Sequence, residues 1–433
     1  MNVSLITVFP ELYDAFLKTS LIGRSQQNNL VQYDIASFFS YVQPKERIDS
    51  PTFGPGPGML LRPDLIQKFI EEKDALYGRS FKIFFSPQGQ KLDQSLLKEI
   101  TQKVQETNHL MLLPARYEGM DDRVEREYAD LVVSLGDFVI MAGDLPAMVL
   151  LEGIIRLLPG VVGNQESIER ESFSGPFVDY PEYTMPVVWK DREVPEIIRS
   201  GNHEKIAQWR EAQAAEKTVK FHFEWLRSHE MSKQQFKLVQ SLIPSHYCVV
   251  MHDEIILPGD QIGTTSVTSL DIHDIARSAC TFGLKGYFMV TPLIDQQRIT
   301  NKLLEFWKTG IGVEYNTNRH EAVRKVQVVD SLQNAFDVIE KIEGKKPLLI
   351  ATSARSDEKG APSVTYYDQA LVWKHDRPVL LIFGTGRGLA PSVIERCDYL
   401  LLPIEGFSDF NHLSVRSAAA IIFDRWLGIN LKK

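Results

Sequence analysis

The chain has 433 residues, of which 44% are hydrophobic and 24% are charged, and its formal net charge is −8. This composition is typical of a globular protein, and no apolar run reaches the roughly 18 residues that a membrane-spanning helix needs. An acidic total argues against a protein that coats DNA nonspecifically. It still permits a nucleic-acid partner that is bound by a local basic surface.

The cysteines and the first residues indicate where the protein works. Cys248, Cys280 and Cys397 lie far apart without CxxC spacing, which points to a reducing compartment and argues against a zinc site. The N-terminal stretch MNVSLITVFPELYDAF lacks the basic start of a signal peptide and predicts a strand followed by a helix. We therefore expect a cytoplasmic protein with no membrane span and no zinc site, and no residue is predicted as a metal ligand.

The first 160 residues alternate short apolar runs with helical patterns, which predicts a parallel sheet covered on both faces. The segment Ile48–Leu61 contains TFGPGPGML and is too rich in glycine and proline for a regular element, so it predicts a functional loop or a lid. The predicted strands are Val3–Val8, Lys82–Phe85, Leu110–Leu113, Leu131–Ser134 and Phe138–Met141.

Strand patterns vanish after Asn164. Two polar helical stretches, His203–Lys217 and Ser232–Leu242, follow a linker at about Gly163–Phe173 and predict a small helical domain. A second alternating series then begins near Pro244 and ends with a predicted apolar helix at Asn411–Leu427. Its predicted strands are Cys248–Met251, Tyr287–Val290, Val326–Val329, Leu348–Ala351, Val379–Phe383 and Tyr399–Leu402.

The predicted fold class is therefore α/β, with two parallel-sheet domains separated by a small helical domain. The predicted bounds are residues 1–163 for the first sheet domain, 164–244 for the linker and helical domain, and 245–433 for the second sheet domain.

Two glycine-rich stretches are candidates for ligand loops. Arg116–Met148 packs short apolar runs between glycine turns and ends in an apolar helix, which fits either two core strands with tight turns or a ligand site. Phe383–Leu389 reads FGTGRGL and follows an apolar strand, as a dinucleotide-binding loop does. Its spacing is GxGxG, with Leu389 at the third glycine position. It also follows about the fifth strand of its domain rather than the first, which argues against dinucleotide binding.

A nicotinamide oxidoreductase is the alternative that this loop leaves open. It predicts an acidic residue about 20 positions beyond the glycines. Asp409 stands near that distance, but in a Gly/Ser/Phe-containing loop rather than at a strand end.

Late glycine loops followed by a C-terminal helix fit a knotted α/β methyltransferase. Residues 1 to about 240 resemble the bacterial tRNA (guanine-N1)-methyltransferase (TrmD) family through eight motifs that occur in order. These are LITVFPELY near the N-terminus, GPGPGM at Gly54–Met59, SPQGQKLDQ at Ser86–Gln94, RYEGMDDRV at Arg116–Val124, SLGDFV at Ser134–Val139, LPAM at Leu145–Met148, RLLPGVVG at Arg156–Gly163 and SGNH at Ser200–His203.

Residues 246–433 resemble a second RNA methyltransferase-like domain of the same knotted (SPOUT) superfamily. The segments that carry this resemblance are Thr265–Ala279, Gly286–Leu293, Glu314–Asn316, Pro347–Arg355, Phe383–Ala390 and Asn411–Ile422. The resemblance implies two SPOUT-type domains, each with a deep trefoil knot, in a homodimeric enzyme.

The resemblance also implies a reaction, which is S-adenosylmethionine-dependent methylation of N1 of the guanine immediately 3′ of the tRNA anticodon. Guanine N1 carries a proton at neutral pH, so a carboxylate must remove it, and a cation must stabilise the charge that builds on O6. The resemblance implies Arg156 as the cation and Glu171 as the base. Glu171-Ser172-Phe173 stands where the family has Asp-Ser-Phe. A requirement for Mg²⁺ stays open.

Further site residues are implied by the same resemblance. Asp179, His203 and Arg210 are expected to contact the anticodon arm of tRNA, and no DNA partner is expected. In the second domain, Arg387 and Arg416 are candidate RNA or cofactor contacts, and Asn411 and His412 are candidates for shaping the loop. The residues implied to hold S-adenosylmethionine are Phe85, Ser86, Pro87, Ala115, Tyr117, Glu118, Gly119, Leu135, Gly136, Phe138, Ile140, Gly143 and Pro146, with Gly384, Gly386, Gly388 and Leu413 in the second domain.

The role of the second domain stays open between two alternatives. It is either a methyltransferase with its own RNA target or a non-catalytic RNA-binding or dimerisation module. No carboxylate in its glycine loop corresponds to Glu171.

Overall fold

The computed structural model describes residues 1–54, 58–163, 171–309 and 312–431. These residues form two compact units, Met1–Ser174 and Gly175–Lys433. Among the helices of these ranges, none is both long and apolar enough to cross a bilayer.

Unit 1 is built on a five-stranded sheet in which all neighbouring strands are parallel, in the order β2-β1-β6-β5-β7. Strands β3 and β4 form a separate antiparallel pair. The strands are β1 (Asn2–Thr7), β2 (Gln32–Ser37), β3 (Asp49–Pro51), β4 (Met59–Leu61), β5 (Phe81–Lys91), β6 (His109–Leu113) and β7 (Leu131–Ser134). The helices are α1 (Asp14–Lys18), α2 (Ser20–Gln27), α3 (Pro63–Tyr77), α4 (Gln94–Thr107), α5 (Asp122–Tyr128) and α6 (Asp144–Leu157).

Helices cover both faces of this sheet, which is why its central strands are nearly continuous apolar runs. Every residue of β6 is buried. One face packs against α4 and α6 in a core that includes Ile100 and Leu151. The other face packs against α3 in a core that includes Phe69 and Met111.

Four of the five strands predicted in unit 1 are confirmed, but Phe138–Met141 is wrong. This segment has the composition of a strand but no neighbouring strand to pair with. The Val139 and Met141 side chains are 86% and 96% exposed. The prediction that Ile48–Leu61 lacks regular structure is also partly wrong, because its ends pair as β3 and β4. Residues 55–57 of the predicted lid and 164–170 of the predicted linker lie outside the described ranges.

Unit 2 is built on a seven-stranded sheet of parallel neighbours, in the order β14-β13-β10-β17-β15-β18-β16. Two antiparallel pairs, β8 with β9 and β11 with β12, lie outside this sheet. The strands of unit 2 are β8 (Val188–Trp189), β9 (Arg192–Glu193), β10 (His246–Met251), β11 (Ile255–Ile256), β12 (Ile262–Gly263), β13 (Gly286–Val290), β14 (Val326–Val329), β15 (Leu348–Thr352), β16 (Ser363–Val364), β17 (Val379–Gly384) and β18 (Tyr399–Leu401).

The helices of unit 2 fall into an N-terminal group and a group that covers the sheet. They are α7 (Glu196–Arg199), α8 (His203–Phe221), α9 (Phe223–Arg227), α10 (Lys233–Leu242), α11 (Ser269–Thr281), α12 (Ile294–Lys308), α13 (Gly312–Tyr315), α14 (Thr317–Val323), α15 (Leu332–Glu343), α16 (Gln369–Trp373), α17 (Pro391–Ile394) and α18 (Val415–Leu427).

The six strands predicted in the C-terminal part are confirmed, with two differences nearby. The predicted helix Asn411–Leu427 begins only at Val415, where the Ser414 side chain caps it, so Asn411–Leu413 lie in a loop. A short hairpin, β8 with β9, lies in the stretch where no strand is predicted.

The helical stretch after residue 174 shares its core with the second sheet. Val219, Phe223 and Val239 from this stretch belong to the same buried cluster as Val250 of β10 and Ile275 of α11. Whether residues 164–244 are a domain of their own stays a prediction, as does the trefoil knot in each unit.

Candidate active site

Unit 1 has a cleft of about 420 Å³ at the carboxyl ends of β5, β6 and β7, which is the edge of a parallel α/β sheet where ligands bind. This volume is within the roughly 300–1,000 Å³ of small-molecule sites. All thirteen residues of unit 1 that are implied to hold the cofactor line this one cleft: Phe85, Ser86, Pro87, Ala115, Tyr117, Glu118, Gly119, Leu135, Gly136, Phe138, Ile140, Gly143 and Pro146.

The loop after β7 closes the cleft through a close backbone approach at Gly143. The Gly143 N–H donates to the carbonyl of Ala115 at 2.8 Å. A Cβ added at Gly143 would lie 2.7 Å from the Ala115 nitrogen, so only glycine fits there. The segment that is wrongly predicted as a strand therefore forms a wall of the cleft.

A buried carboxylate, Asp144, holds the two loops that surround the cleft. Its Oδ1 accepts from the Thr7 hydroxyl at 2.6 Å and from the Tyr13 hydroxyl at 3.1 Å. Its Oδ2 accepts from the Arg116 guanidinium, with Nε at 3.0 Å and Nη2 at 2.9 Å. Burial, and then the charge of Asp144, raise the pKa of Tyr13 well above its usual range.

The Asp144 cluster connects three parts of unit 1 that are distant in sequence. Thr7 ends β1, Arg116 begins the Tyr117–Gly119 loop, and Asp144 begins α6. Arg116 also lies over the ring of Phe9, with its guanidinium carbon 4.4 Å from the centroid. Sequence reasoning missed this cluster, although an Asp in the first turn of an apolar helix is an available signal.

The two predicted catalytic side chains lie against each other. Arg156 Nη1 donates to Glu171 Oε1 at 2.6 Å, and a second, shorter contact joins Nη2 to Oε2. Gln94 Nε2 also donates to Glu171 Oε1, at 3.3 Å. Arg156 ends α6 with 43% of its side chain exposed, and Glu171 is 15% exposed. Neither residue is among those that line the cleft.

The three predicted RNA contacts lie in unit 2, along and beside helix α8. His203 and Arg210 are seven residues apart, so they share one face of the helix with Lys217. Lys217 Nζ donates to the backbone carbonyl of Asp179 at 3.1 Å, and Arg210 lies 4.6 Å from the centroid of the Tyr180 ring. The structure thus places all three predicted residues on one side of α8.

Unit 2 has its own cleft, of about 740 Å³, at the carboxyl ends of β10, β15 and β17. Gly384, Gly386, Gly388 and Leu413, the four predicted cofactor residues of this unit, line it. The other candidates Arg387, Asn411, His412 and Arg416 line the same cleft. Two residues that sequence reasoning missed, His252 and Asp271, also lie in its wall.

Comparison with known proteins identifies the family. Residues 1–228 match the family model described as tRNA (Guanine-1)-methyltransferase TrmD. A relative from Oleidesulfovibrio alaskensis, named tRNA (guanine-N(1)-)-methyltransferase, is 38% identical over 434 residues, which cover 99% of each chain. The chain belongs to the tRNA (guanine-1)-methyltransferase family. Residues 245–428 match a second model, described as SAM-dependent RNA methyltransferase. These matches confirm both predicted resemblances, that of the N-terminal part to the TrmD family and that of the C-terminal part to a second RNA methyltransferase-like domain.

The family occurs with and without the second unit. A relative of the same name from Nitratidesulfovibrio vulgaris is 36% identical over 437 residues, which cover 99% of each chain. By contrast, the match to a family member from Gloeothece citriformis, 39% identical, covers 93% of that protein but only 50% of this chain. A crystal structure of a tRNA (m1G37) methyltransferase from Aquifex aeolicus matches with 28% identity and a TM-score of 0.41, covering 48% of this chain and 87% of that chain.

Proposed function

We propose that this family member transfers a methyl group from S-adenosylmethionine to N1 of the guanine immediately 3′ of the tRNA anticodon. The observation that carries the proposal is the single cleft lined by all thirteen expected cofactor positions of unit 1. Two relatives that match over 99% of both chains are named tRNA (guanine-N(1)-)-methyltransferase. The cofactor supplies a methyl carbon already activated by its positive sulfur. The protein's residues therefore have to prepare the nucleophile and position it.

The Arg156–Glu171 pair matches the edge of guanine that reacts. Guanine presents an N1–H donor beside the O6 acceptor, so Glu171 can accept the N1 proton while Arg156 donates to O6. Adenine presents an acceptor at N1 beside a donor at N6, which places the wrong group opposite each side chain. Arg156 and Glu171 make two contacts with each other. A guanine that separates the two side chains would offer O6 to Arg156 and the N1 proton to Glu171.

Proton removal by Glu171 leaves negative charge on N1 and O6 of the base. The guanidinium of Arg156 stabilises this charge as it develops, which lowers the barrier to methyl transfer. Gln94, which donates to Glu171, holds the carboxylate in place during this step.

We further propose that α8 contacts the anticodon arm through the helix face that carries His203 and Arg210. The neighbouring segment at Asp179 is part of the same proposed surface. The proposed assembly is a homodimer that acts in the cytoplasm. Support for the RNA contact comes from the spacing of these residues along one helical face and from Lys217, which adds a cation to it.

The function is tested with tRNA transcribed in vitro, which carries no modified bases. The full chain is incubated with this tRNA and S-adenosylmethionine, and the digested product is analysed by nucleoside mass spectrometry. We expect 1-methylguanosine from tRNA with guanine 3′ of the anticodon, and none from a matched transcript with adenine there. Absence of 1-methylguanosine from the first transcript would overturn the proposal.

Arg210→Ala is expected to weaken tRNA binding with little change in kcat, because the side chain is proposed to contact phosphate rather than the reacting base. The plot of log Kd against the logarithm of the salt concentration should become less steep by ~1, which corresponds to the loss of one phosphate contact. Filter binding at several salt concentrations measures this. Lys205→Ala is the matched control, because it removes one cation from the same exposed helix at a position about 140° around the axis. Equal salt slopes in the two variants would contradict the assignment.

A non-catalytic role for the second unit, as an RNA-binding or dimerisation module, is the second candidate. The arginines Arg387 and Arg416 in the wall of its cleft favour contact with a phosphate or a carboxylate. The same cleft, however, contains groups that point to chemistry.

A further inference from the structure

The cleft of unit 2 has two polar atoms in its wall that lack a hydrogen-bond partner within the described ranges. They are Nε2 of His252 and Oδ1 of Asp271. The two residues are 1% and 6% exposed. Buried polar atoms almost always have a partner, and each exception calls for an explanation. Two such acceptors in one cleft indicate that a ligand supplies the missing hydrogen.

The hydrogen bonds around His252 determine which of its ring nitrogens carries the proton. The Thr385 hydroxyl donates its single proton to the carbonyl of Met251, at 2.8 Å. The Thr265 hydroxyl, 2.6 Å from that of Thr385, must therefore donate to it. Having used its proton, Thr265 can only accept from Nδ1–H of His252, at 3.0 Å. Nε2 is consequently a bare lone pair.

The ring of His252 is neutral at pH 7. Burial lowers its pKa to about 4, and the nearby charge of Asp271 acts in the opposite direction. Thr385 stands between Gly384 and Gly386, so the hydrogen bonds that orient His252 end in the glycine loop itself. The bare acceptor and the expected cofactor loop are parts of one hydrogen-bonded structure.

Asp271 has one oxygen engaged and one without a donor. The Thr268 hydroxyl donates to Oδ2 at 2.6 Å. Thr268 is also the N-cap residue of α11, the helix that contains Asp271. Arg416 Nη1 lies 3.7 Å from Oδ1, which is beyond hydrogen-bonding distance, and its Nε lies 3.7 Å from Asp274. A carboxylate in this position stabilises a positive charge on the His252 ring. Asp271 lies outside the glycine loop. The loop itself, Phe383–Leu389, contains no carboxylate.

We propose that His252 is the proton acceptor of a second methyl transfer, with Asp271 stabilising the charged imidazole, and that the substrate is an N–H or O–H group of an RNA nucleoside. This rests on the assignment of S-adenosylmethionine to the cleft of unit 2. The substrate nitrogen or oxygen forms a bond to the methyl carbon, and the carbon–sulfur bond breaks with its electron pair going to sulfur. The substrate proton moves to Nε2 of His252 and then to water. Nucleoside nitrogens without a proton, such as N7 of guanine, are not substrates for such a site.

The test uses the full chain with Glu171→Gln, so that the proposed reaction of unit 1 is blocked. The probe is a pool of unmodified ribosomal RNA and tRNA transcripts that lack guanine 3′ of the anticodon, with tritiated S-adenosylmethionine. His252→Asn keeps an N–H that can donate to Thr265 and removes Nε2. His375→Asn is the matched control, since it makes the same substitution at an exposed histidine that does not line the cleft and whose ring hydrogen-bonds, within the described ranges, to the Tyr399 hydroxyl.

We expect a methylated nucleoside from the Glu171→Gln chain and from its His375→Asn derivative. A loss of about 10²–10⁴ in rate is expected with His252→Asn. Calorimetry should show two S-adenosylmethionine sites per chain, both retained with unchanged Kd in His252→Asn. Nitrogen NMR of labelled histidine should show His252 with its proton on Nδ1 and a bare Nε2 that shifts when the cofactor binds.

Four results would overturn the proposal. They are an Nε2 signal of His252 that does not shift when the cofactor is added, no methylated nucleoside in the Glu171→Gln background, equal rates for His252→Asn and His375→Asn, and a slower His252→Asn chain that has also lost cofactor binding. Failure of the function proposed for unit 1 looks different, because it removes 1-methylguanosine from the guanine-containing tRNA and leaves both the His252-dependent methylation and the His252 signal unchanged.

Discussion

Glu171→Gln is expected to lower kcat for tRNA methylation by about 10²–10⁴, because the amide cannot accept the N1 proton of guanine. The substitution keeps the size of the side chain and one oxygen for Gln94 to contact. Its effect on stability should be small, within ~1 kcal/mol, since the pair with Arg156 is partly open to solvent and such pairs contribute little. Single-turnover kinetics with 1-methylguanosine as the product measures the change.

Two variants make this result specific to the carboxylate. Glu171→Asp keeps a carboxylate that can accept the proton and should retain most of the activity, although the side chain is one methylene shorter. Glu99→Gln removes an exposed carboxylate from α4, the helix that carries Gln94, and should leave the rate unchanged. A Glu171→Gln enzyme as fast as Glu99→Gln would rule out Glu171 as the base.

Asp144→Asn is expected to be the most destabilising of the substitutions considered in unit 1. It leaves the Arg116 guanidinium, only 24% exposed, without its carboxylate partner. Removing one member of a buried ion pair costs about 3–5 kcal/mol. Because the same cluster fixes the loops around the cleft, the affinity for S-adenosylmethionine should fall as well. Urea unfolding and calorimetry measure the two effects.

Asp137→Asn is the control for Asp144→Asn. Asp137 pairs with Lys91 on the surface, where it is 83% exposed, so its loss should change the stability by no more than ~0.5 kcal/mol. Tyr13→Phe gives a milder test in case Asp144→Asn does not fold, since it removes a single hydrogen bond to Asp144 worth ~0.5–1.5 kcal/mol. If Asp144→Asn and Asp137→Asn unfold at the same urea concentration, the cluster does not hold unit 1 together.

The positions of most sheet strands could be predicted from the sequence, because strands covered on both faces must be apolar along their whole length. Leu131–Ser134 and Val326–Val329 have the predicted bounds. Gln32–Ser37 could not be predicted, since it is an edge strand that mixes polar and apolar residues. Phe138–Met141 is wrong for the opposite reason: its composition suits a strand, but pairing depends on a neighbour that composition does not reveal.

The candidate sites were predictable only where a local motif marks them. The residues of unit 1 that the resemblance implies for the cofactor lie in ordered motifs, and the structure brings them together in one cleft. The partners of Asp144 could not be foreseen, because Arg116 is 28 positions away and Thr7 is 137 positions away. His252 shows the same limit, since its role depends on Thr265 and on Thr385, which is 120 positions beyond Thr265.

The strand order of unit 1 also determines how this unit can fold. Strand β1 pairs with the central strand β6, so Asn2 lies beside His109, a residue 107 positions further along the chain. Contacts between such distant parts of a chain form slowly, since the entropy of closing the loop is lost before the contact is gained. During synthesis, the edge of β1 that pairs with β6 stays unpaired until β6 has left the ribosome. The cleft of unit 1, which also needs β7 and α6, is therefore among the last features of the unit to form.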